Sequence, residues 1–309
     1  MKKLLPLICI TSLFLSGWFW QEKTTPVREY YDNKNPKIIG NNLEKTGKKH
    51  GEWTYYFEDG KLMRTEKYED GKLISKKGLT KIEKVFEVKE LGWNKEPIKG
   101  VGFVDENNKK SGEWKFYNED GKLKKIGSFK DGKEEGEYKS YYENGKLKGI
   151  GSFKDGKPEG EWKTYHENGE LERIGSVKDG KRQGDWKYFH ENGKLGSIGS
   201  NKDGKREGEW KRYHRNGKLK EIGSFKDGKQ EGEFKAYHDN GKLWGIGSFK
   251  YGKKQGEWKE YYENGKLGSI GSYKDGKREG EWKFYKENGK LERIVHYKNG
   301  ELIKTEYPK

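Results

Sequence analysis

A strict 24-residue spacing is the feature of this sequence that most constrains its fold. A glycine that begins a Gly-acid-aromatic triplet recurs eight times without insertion, at Gly112, Gly136, Gly160, Gly184, Gly208, Gly232, Gly256 and Gly280. Spacing of this kind is typical of stacked repeats, in which each copy covers its neighbour and cannot stand alone. The 309 residues are therefore predicted to form mainly one repeat array, not a pair of globular domains.

The repeat unit has the pattern of a β-hairpin. Its consensus, GEWKxYHENGKLxxIGSFKDGKxE, contains an Asn-Gly and an Asp-Gly turn signal separated by short aromatic or aliphatic stretches. Glycine every few residues would cost a helix about 1 kcal/mol each, which excludes a helical solenoid. The sequence predicts an all-β fold, an elongated ribbon of antiparallel β-hairpins of the solenoid type, with a period of 24 residues.

The loop at the Asn-Gly signal decides which residues lie opposite each other. A three-residue loop at 167–169 would pair Tyr165 with Leu171 and Trp162 with Ile174, whereas a two-residue loop would put Trp162 opposite a glycine. We expect the first register, with Trp and Ile on one face and Tyr and Leu on the other. The loop glycines, expected to be left-handed, are Gly145, Gly169, Gly193, Gly217, Gly241 and Gly265.

A ladder of aromatic residues is expected to hold this thin sheet together. Only 29% of residues are apolar and 38% are charged, yet 14% are aromatic, and aromatic rings bury area efficiently. Since Tyr138 and Phe234 replace Trp in two copies, packing is favoured over a row of carbohydrate or choline platforms. The predicted ladder comprises Trp114, Trp162, Trp186, Trp210, Trp258 and Trp282, with Tyr165, Tyr213 and Tyr237.

The sequence predicts no catalytic residue, cofactor site or metal site. It contains no phosphate-binding glycine loop and no kinase motif, and the repeated acids fit a solvated face better than a pair of catalytic carboxylates. One position holds histidine in four copies, but neighbouring copies should lie ~9–10 Å apart, too far for one zinc ion. These residues are His166, His190, His214 and His238.

The amino-terminal segment at 1–20 has the layout of a signal peptide or an uncleaved anchor. Two lysines precede an apolar run from Leu4 to Leu15, and small residues follow. The chain is therefore expected to be exported to the periplasm, the cell surface or the medium. Cys9 is the only cysteine and lies inside this segment, so the remaining chain lacks disulfides and thiolate metal ligands.

The remaining chain divides into four predicted parts. Residues 21–46 form a polar lead-in, residues 47–73 a diverged repeat that contains Trp53, residues 74–98 an insertion, and residues 99–309 an array of eight repeats with a carboxy-terminal cap. Within the array, pairs that vary between copies, such as Pro158-Glu159 against Arg182-Gln183, are the expected place for function.

Five elements of the repeat resemble a known family, the bacterial variant of the MORN repeat found in proteins often called YwqK-like antitoxins. They are Lys154-Asp155-Gly156-Lys157, Gly160-Glu161-Trp162-Lys163, Tyr165, Glu167-Asn168-Gly169 and Leu171, with equivalents in the other copies. The resemblance covers about 200 of 309 residues. It implies an elongated antiparallel ribbon that binds proteins or membranes, and the antitoxin name implies an inhibitor of a partner protein.

A formal net charge of +16 favours anionic partners such as lipid headgroups, and no nucleic-acid reading motif is present, so nucleic acid is not an expected partner. We expect a non-enzymatic exported scaffold that binds protein partners, or an anionic membrane or cell surface, through many equivalent contacts. Two alternatives stay open at this point: a carbohydrate-binding or cell-wall-binding module that uses the aromatic ladder, and an antitoxin-like inhibitor.

Overall fold

A computed structural model describes residues 23–86 and 98–308. Every regular element in these ranges is a β-strand, which confirms the predicted all-β class. Residues 23–86 and 98–308 therefore contain no apolar helix that is long enough to cross a membrane. The predicted signal segment at 1–20 lies outside the described residues. The chain divides into two compact units, with the boundary between Thr80 and Lys81.

The first unit is a five-stranded antiparallel sheet in chain order. Its strands are β1 (Thr24–Tyr30), β2 (Pro36–Leu43), β3 (Lys49–Tyr56), β4 (Leu62–Glu69) and β5 (Lys72–Gly78). Residues 21–46 are thus not only a polar lead-in, because they supply β1 and β2. Strand β2 can lie beside β3 because Gly40 has no side chain and therefore leaves room for the ring of Trp53 on β3.

The second unit repeats one antiparallel hairpin every 24 residues, as predicted. Residues 74–98, predicted as an insertion, include most of β5, the strand β6 (Thr80–Phe86) and Ile98 of the next strand, while residues 87–97 lie outside the described part. The strands are β6 (Thr80–Phe86), β7 (Ile98–Val104), β8 (Lys110–Tyr117), β9 (Leu123–Lys130), β10 (Lys133–Tyr141), β11 (Leu147–Lys154), β12 (Lys157–Tyr165), β13 (Leu171–Lys178), β14 (Lys181–Phe189), β15 (Leu195–Lys202), β16 (Lys205–Tyr213), β17 (Leu219–Lys226), β18 (Lys229–Tyr237), β19 (Leu243–Lys250), β20 (Lys253–Tyr261), β21 (Leu267–Lys274), β22 (Lys277–Tyr285), β23 (Leu291–Lys298) and β24 (Glu301–Glu306). From β7 to β24, each strand pairs with the next one in the chain.

Two kinds of turn alternate along the second unit. At the Asn-Gly turn, the amide of Gly169 donates to the carbonyl of His166 over 2.9 Å, and Tyr165 pairs with Leu171. Gly169 has a φ of +97°, and the equivalent glycines in the other predicted loops lie between +76° and +93°. The Asp155-Gly156 turn has only two loop residues, both with positive φ, which matches the twist of antiparallel strands.

The predicted pairing of Trp162 with Ile174 is wrong. Glu172 is an extra residue, a β-bulge that has no partner on β12 and shifts the register by one position. Trp162 therefore lies opposite Gly175, and Ile174 lies opposite Lys163. Since directly paired side chains share a face, tryptophan and glycine occupy one face of the sheet and isoleucine and lysine the other.

A second bulge precedes each ladder residue. On β14, Gly184 and Asp185 are both extra relative to β13, and Trp186 is thereby brought opposite Gly175. Gly175 consequently lies between two tryptophans, Trp162 on one side and Trp186 on the other. We call the side of the sheet that carries these rings the tryptophan face.

Candidate functional site

The ladder tryptophans of the second unit lie directly on glycines of the preceding strand. A Cβ atom at Gly175 would overlap the ring of Trp186, which is only 4% exposed. The Nε1 of Trp186 donates to the carbonyl of Ser176 over 3.0 Å. The same arrangement places Trp210 on Gly199, Trp258 on Gly247 and Trp282 on Gly271. Most ladder rings are therefore fixed by close backbone contact and by a hydrogen bond.

Cationic side chains lie close to several of the same rings. Arg182 lies 4.8 Å from the ring of Trp186, and Lys254 lies 4.2 Å from that of Trp258. Arg206, Arg278 and Lys110 cover Trp210, Trp282 and Trp114 in the same way. These ladder rings are packing groups, since each of these five tryptophans is at most 4% exposed.

Four predicted ladder members, three tyrosines and one tryptophan, differ from this pattern. Tyr165, Tyr213 and Tyr237 are half-buried and pair with leucines after the bulge. Trp162 is partly exposed, and its Nε1 is buried without a hydrogen-bond partner in the described part of the chain. The residue that stands at the covering position above Trp162 is Pro158 instead of a cation.

The four repeated histidines join each copy to the next. The Nε2 of His166 lies 3.0 Å from the carbonyl oxygen of Phe189, and His190, His214 and His238 make the equivalent contact. Where tyrosine takes this position, the hydroxyl of Tyr142 donates to the carbonyl of Tyr165 over 2.6 Å. No group of three metal-binding side chains occurs among the described residues.

Replacing this histidine tests the link between copies. We expect His166→Phe to lower the free energy of unfolding by about 1 kcal/mol, because the carbonyl of Phe189 loses its donor. His166→Tyr should remain near the wild-type value, since a tyrosine hydroxyl fills the same role in other copies. Urea unfolding of both variants measures the difference, and equal losses would contradict a hydrogen-bonding role.

The varying acid or amide before each triplet glycine is also structural. The Oε2 of Glu159 accepts the amide of Asp179 over 2.9 Å, and the Oε1 of Gln183 accepts that of Asp203 over 3.0 Å. Glutamate and glutamine both supply this acceptor, so their exchange between copies changes no contact. The exchange of glutamate for glutamine is therefore structural, and the expectation that the varying pairs mark function stays a prediction.

Seven two-residue turns bring exposed lysines together in what we call the lysine rim. In each turn, two lysines lie directly opposite on neighbouring strands, with at most one acid between them. Like charges in such pairs are destabilising. The pairs are Lys130–Lys133, Lys154–Lys157, Lys178–Lys181, Lys202–Lys205, Lys226–Lys229, Lys250–Lys253 and Lys274–Lys277.

Lysines further from the turns are instead neutralised by acids on the same strand. The carboxylate of Glu161 lies 2.6 Å from the Nζ of Lys163, and its hydrogen bond raises the pKa of Lys163 above the usual value. The same pairing raises the pKa of Lys139, Lys211 and Lys235. The face opposite the tryptophans therefore has balanced charge in its middle and a surplus of lysine ammonium groups at the rim.

One row on the tryptophan face changes its residue type from copy to copy, and we call it the variable row. It runs two positions beyond each ladder residue and continues across every strand from β10 to β23 by direct pairing. Its members are Ser140, Gly149, Thr164, Arg173, Tyr188, Ser197, Arg212, Glu221, Ala236, Gly245, Glu260, Ser269, Phe284 and Arg293. Sequence reasoning missed this row because it became visible only with the correct register.

The first unit contains a buried carboxylate that the sequence gave no reason to single out. Glu66 is 7% exposed and accepts hydrogen bonds from the Nε of Arg64 and the hydroxyl of Tyr68, both over 2.8 Å. Burial alone would raise the pKa of Glu66, but the hydrogen bonds from Tyr55, Tyr68 and Arg64 outweigh it and lower the pKa. The ionised form is therefore the one that this site stabilises.

This lowered pKa predicts acid sensitivity of the first unit. The stabilisation is fully present above the ordinary glutamate pKa and is lost as the pH falls through the lower folded value. We expect the amide protection factors of β3 and β4 to decrease below about pH 4. Hydrogen exchange measures this change, and Glu66→Gln should remove part of it, whereas Glu52→Gln on exposed β3 surface should not. Identical pH profiles of all three proteins would contradict the assignment.

Nine segments of the chain match the model of a family described as the MORN repeat variant. They are residues 49–70, 110–131, 134–155, 158–179, 182–199, 206–227, 230–251, 254–275 and 278–299. No curated protein matches this chain. The first of the nine segments lies within the predicted diverged repeat at 47–73.

Two solved structures of low similarity were also found. The crystal structure of TcdB2-TccC3-Cdc42 is 11% identical over 89% of this chain and 18% of that chain, with a TM-score of 0.18. TcdB2-TccC3 without its hypervariable C-terminal region is 10% identical over 87% and 19%, with a TM-score of 0.15. This chain spans less than a fifth of either structure, and TM-scores this low do not indicate a shared fold.

The family match and the fold agree. The nine segments comprise more than half of the chain, and each begins and ends within the repeated hairpins of the two sheets. The chain therefore belongs to the MORN repeat variant family.

Proposed function

We propose that this protein is a non-enzymatic repeat scaffold that binds an anionic membrane surface along its lysine rim. The observation that supports the proposal most is the directly opposed lysine pair at seven successive turns. Each pair costs stability, on the order of several tenths of a kcal/mol, in the absence of an anion. An array of phosphate groups would remove that repulsion.

Packing explains the lysine stems, and an aspartate of the next turn lies near two of the ammonium groups, Asp179 at 3.9 Å from Lys157 and Asp227 at 4.0 Å from Lys205. The Cβ and Cγ of Lys181 lie next to Gly204 in the following turn, and Lys205 and Lys229 cover the next glycines in the same way. A neutral side chain of similar length would cover these glycines equally well. The ammonium groups at the rim therefore fit a role in binding.

The spacing of the rim suits many weak contacts. Neighbouring turns are two strands apart, or ~9–10 Å, and each basic residue near an acidic membrane contributes about 1 kcal/mol. Because the turns are equivalent and joined in one sheet, contacts made by several turns add without further ordering. The export predicted from residues 1–20 is compatible with a membrane-surface role.

Vesicle binding tests the proposal. The full chain is titrated with vesicles of mixed phosphatidylglycerol and phosphatidylcholine, and with vesicles of phosphatidylcholine alone, which measure any apolar contribution of residues 1–20. We expect binding to the anionic vesicles only, weakening steeply from about 0.1 M to 0.5 M NaCl as the charges are screened. Equal binding to both vesicle types, or salt-independent binding, would contradict the proposal.

A protein partner bound along the variable row is the second candidate function. The supporting observation is that side chains as different as Tyr188, Arg212 and Glu260 occupy equivalent positions in different copies. The combined variant Tyr188→Ser and Arg212→Ser should lose a specific co-purifying protein that the wild type retains in its native cell. The carbohydrate alternative is less favoured, since most ladder tryptophans are buried.

A further inference from the structure

We propose that a groove beside Trp244, lined in part by the variable-row residues Glu260, Ser269 and Phe284, binds a quaternary ammonium group. This site is separate from the lysine rim and goes beyond the proposed membrane binding. The groove has a volume of about 640 Å³, and its lining includes Trp244, Tyr262, Phe284, Glu260, Glu263 and Glu287. Trp244 is 45% exposed, in contrast to the buried ladder tryptophans.

Local sequence differences open this groove. Trp244 occupies the bulge position of its copy, and a bulge redirects a side chain away from the regular pleat. One copy later, Gly268 occupies the bulge and Ser269 the variable row, where other copies have arginines such as Arg173 and Arg293. Two small residues therefore leave open the space next to an exposed indole ring.

Hydrogen bonds fix the walls of the groove. The hydroxyl of Tyr262 donates to the carbonyl of Tyr285 over 2.6 Å, and the hydroxyl of Ser269 donates to the carboxylate of Glu260 over 3.0 Å. The side chain of Asn264 donates to the carbonyl of Glu287 over 3.0 Å. A ligand would meet a preformed site and would not have to order it, which favours binding.

The groove is locally acidic in a strongly basic protein. Among the described residues that line the groove, three are glutamates and none is a lysine or an arginine. Cations near the lining residues are held by other groups: the guanidinium of Arg293 lies 4.6 Å from the centroid of the Phe284 ring and pairs with Glu292 over 2.6 Å. Lys266 donates to the carbonyl of Asn288. Charge complementarity therefore selects a cationic ligand.

Aromatic faces beside carboxylates favour a quaternary ammonium over a primary one. A quaternary nitrogen has no hydrogen to donate, is weakly hydrated, and is attracted to indole and phenyl faces. Primary ammonium groups lose strong hydration and need several acceptors in fixed positions. The shared chemistry is a trimethylammonium group, which free choline and a phosphocholine headgroup both carry.

The test uses the folded full chain and calorimetric titration with choline and with 3,3-dimethylbutan-1-ol, its uncharged carbon analogue. We expect the neutral analogue to bind at least tenfold more weakly than choline, and n-butylamine to bind more weakly as well. Tight binding of the neutral analogue, or tighter binding of n-butylamine, would overturn the proposal. Phosphocholine distinguishes the two sources: binding as tight as that of choline assigns a lipid headgroup, and weaker binding assigns a free choline-type ligand.

Variants locate the site. Trp244→Ala is expected to weaken choline binding at least tenfold. Glu287→Gln is expected to weaken it at least threefold. Tyr251→Ala is the matched control, because Tyr251 is an exposed aromatic residue in the turn after β19 and outside the groove lining. Circular dichroism establishes that each variant is folded. Unchanged choline affinity in the folded Trp244→Ala protein, or an equal loss in Tyr251→Ala, would exclude this groove.

Discussion

Gly199→Ala is expected to lower the free energy of unfolding by about 3 kcal/mol or more, because its new methyl group would meet a buried ring. The added Cβ would overlap the Cγ, Cδ2 and Cε2 atoms of Trp210. The backbone cannot yield easily, because Gly199 is also paired with Trp186 on its other side. Trp210 must therefore leave its buried position and lose its hydrogen bond to the carbonyl of Ser200.

Gly127→Ala is the matched control. Gly127 has the same place in its copy, but the nearest ring atom, on Tyr138, would lie 3.7 Å from the new Cβ, an ordinary contact. We expect a change of less than about 1 kcal/mol, since alanine also restricts the unfolded chain. Guanidinium unfolding followed by tryptophan fluorescence measures both variants. Equal destabilisation would show that the backbone, and not the ring, requires glycine.

Neutralising four rim lysines is expected to have the largest effect on binding. The variant carries Lys154→Gln, Lys178→Gln, Lys202→Gln and Lys226→Gln, one change in each of four successive turns. At about 1 kcal/mol per lysine near an acidic membrane, affinity for anionic vesicles should fall more than tenfold. Stability should be unchanged or slightly higher, because each substitution removes a like-charge pair. Vesicle co-sedimentation and urea unfolding measure the two quantities.

A second variant with the same net charge controls for overall electrostatics. It carries glutamine at Lys139, Lys163, Lys211 and Lys235, which lie on the same face as the rim lysines but are already paired with acids. We expect less than about a threefold loss of affinity, because these lysines lie further from the turns that would contact the membrane, and surface charges are screened over about 10 Å. If both variants lose affinity equally, net charge governs binding and the lysine rim has no special role.

The 24-residue period and the turn residues predicted the fold. The pairing register between strands could not be predicted from the alternation of side chains along each strand. Counting outward from the Asn-Gly loop gives the pair Tyr165 and Leu171 correctly. The same counting gives the wrong partner for Trp162, because the bulge at Glu172 adds one residue, and the strand propensity of Glu172 does not mark it as a bulge. A different signal was available in the sequence: each glycine of the Ile-Gly-Ser motif is followed eleven residues later by an aromatic ring.

The last copy is an exception to this spacing, and it supports the interpretation that the glycine makes room for the aromatic ring. Val295 stands where the glycine would be in the last copy, and the residue eleven positions later is Glu306, not an aromatic. Val295 is 3% exposed, so a side chain fits there when no ring follows. The groove at Trp244 could not be predicted in the same way, because its opening depends on which side chains two neighbouring bulges place together.

The hydrogen bonds between copies have a consequence for the history of the chain. The histidine, asparagine and turn-amide bonds span 23, 23 and 20 residues, so each joins a copy only to the one after it. Removing or adding one whole copy brings together two surfaces that already match. Unequal exchange between neighbouring copies of the coding sequence can therefore lengthen or shorten this protein in steps of one hairpin without demanding any compensating substitution.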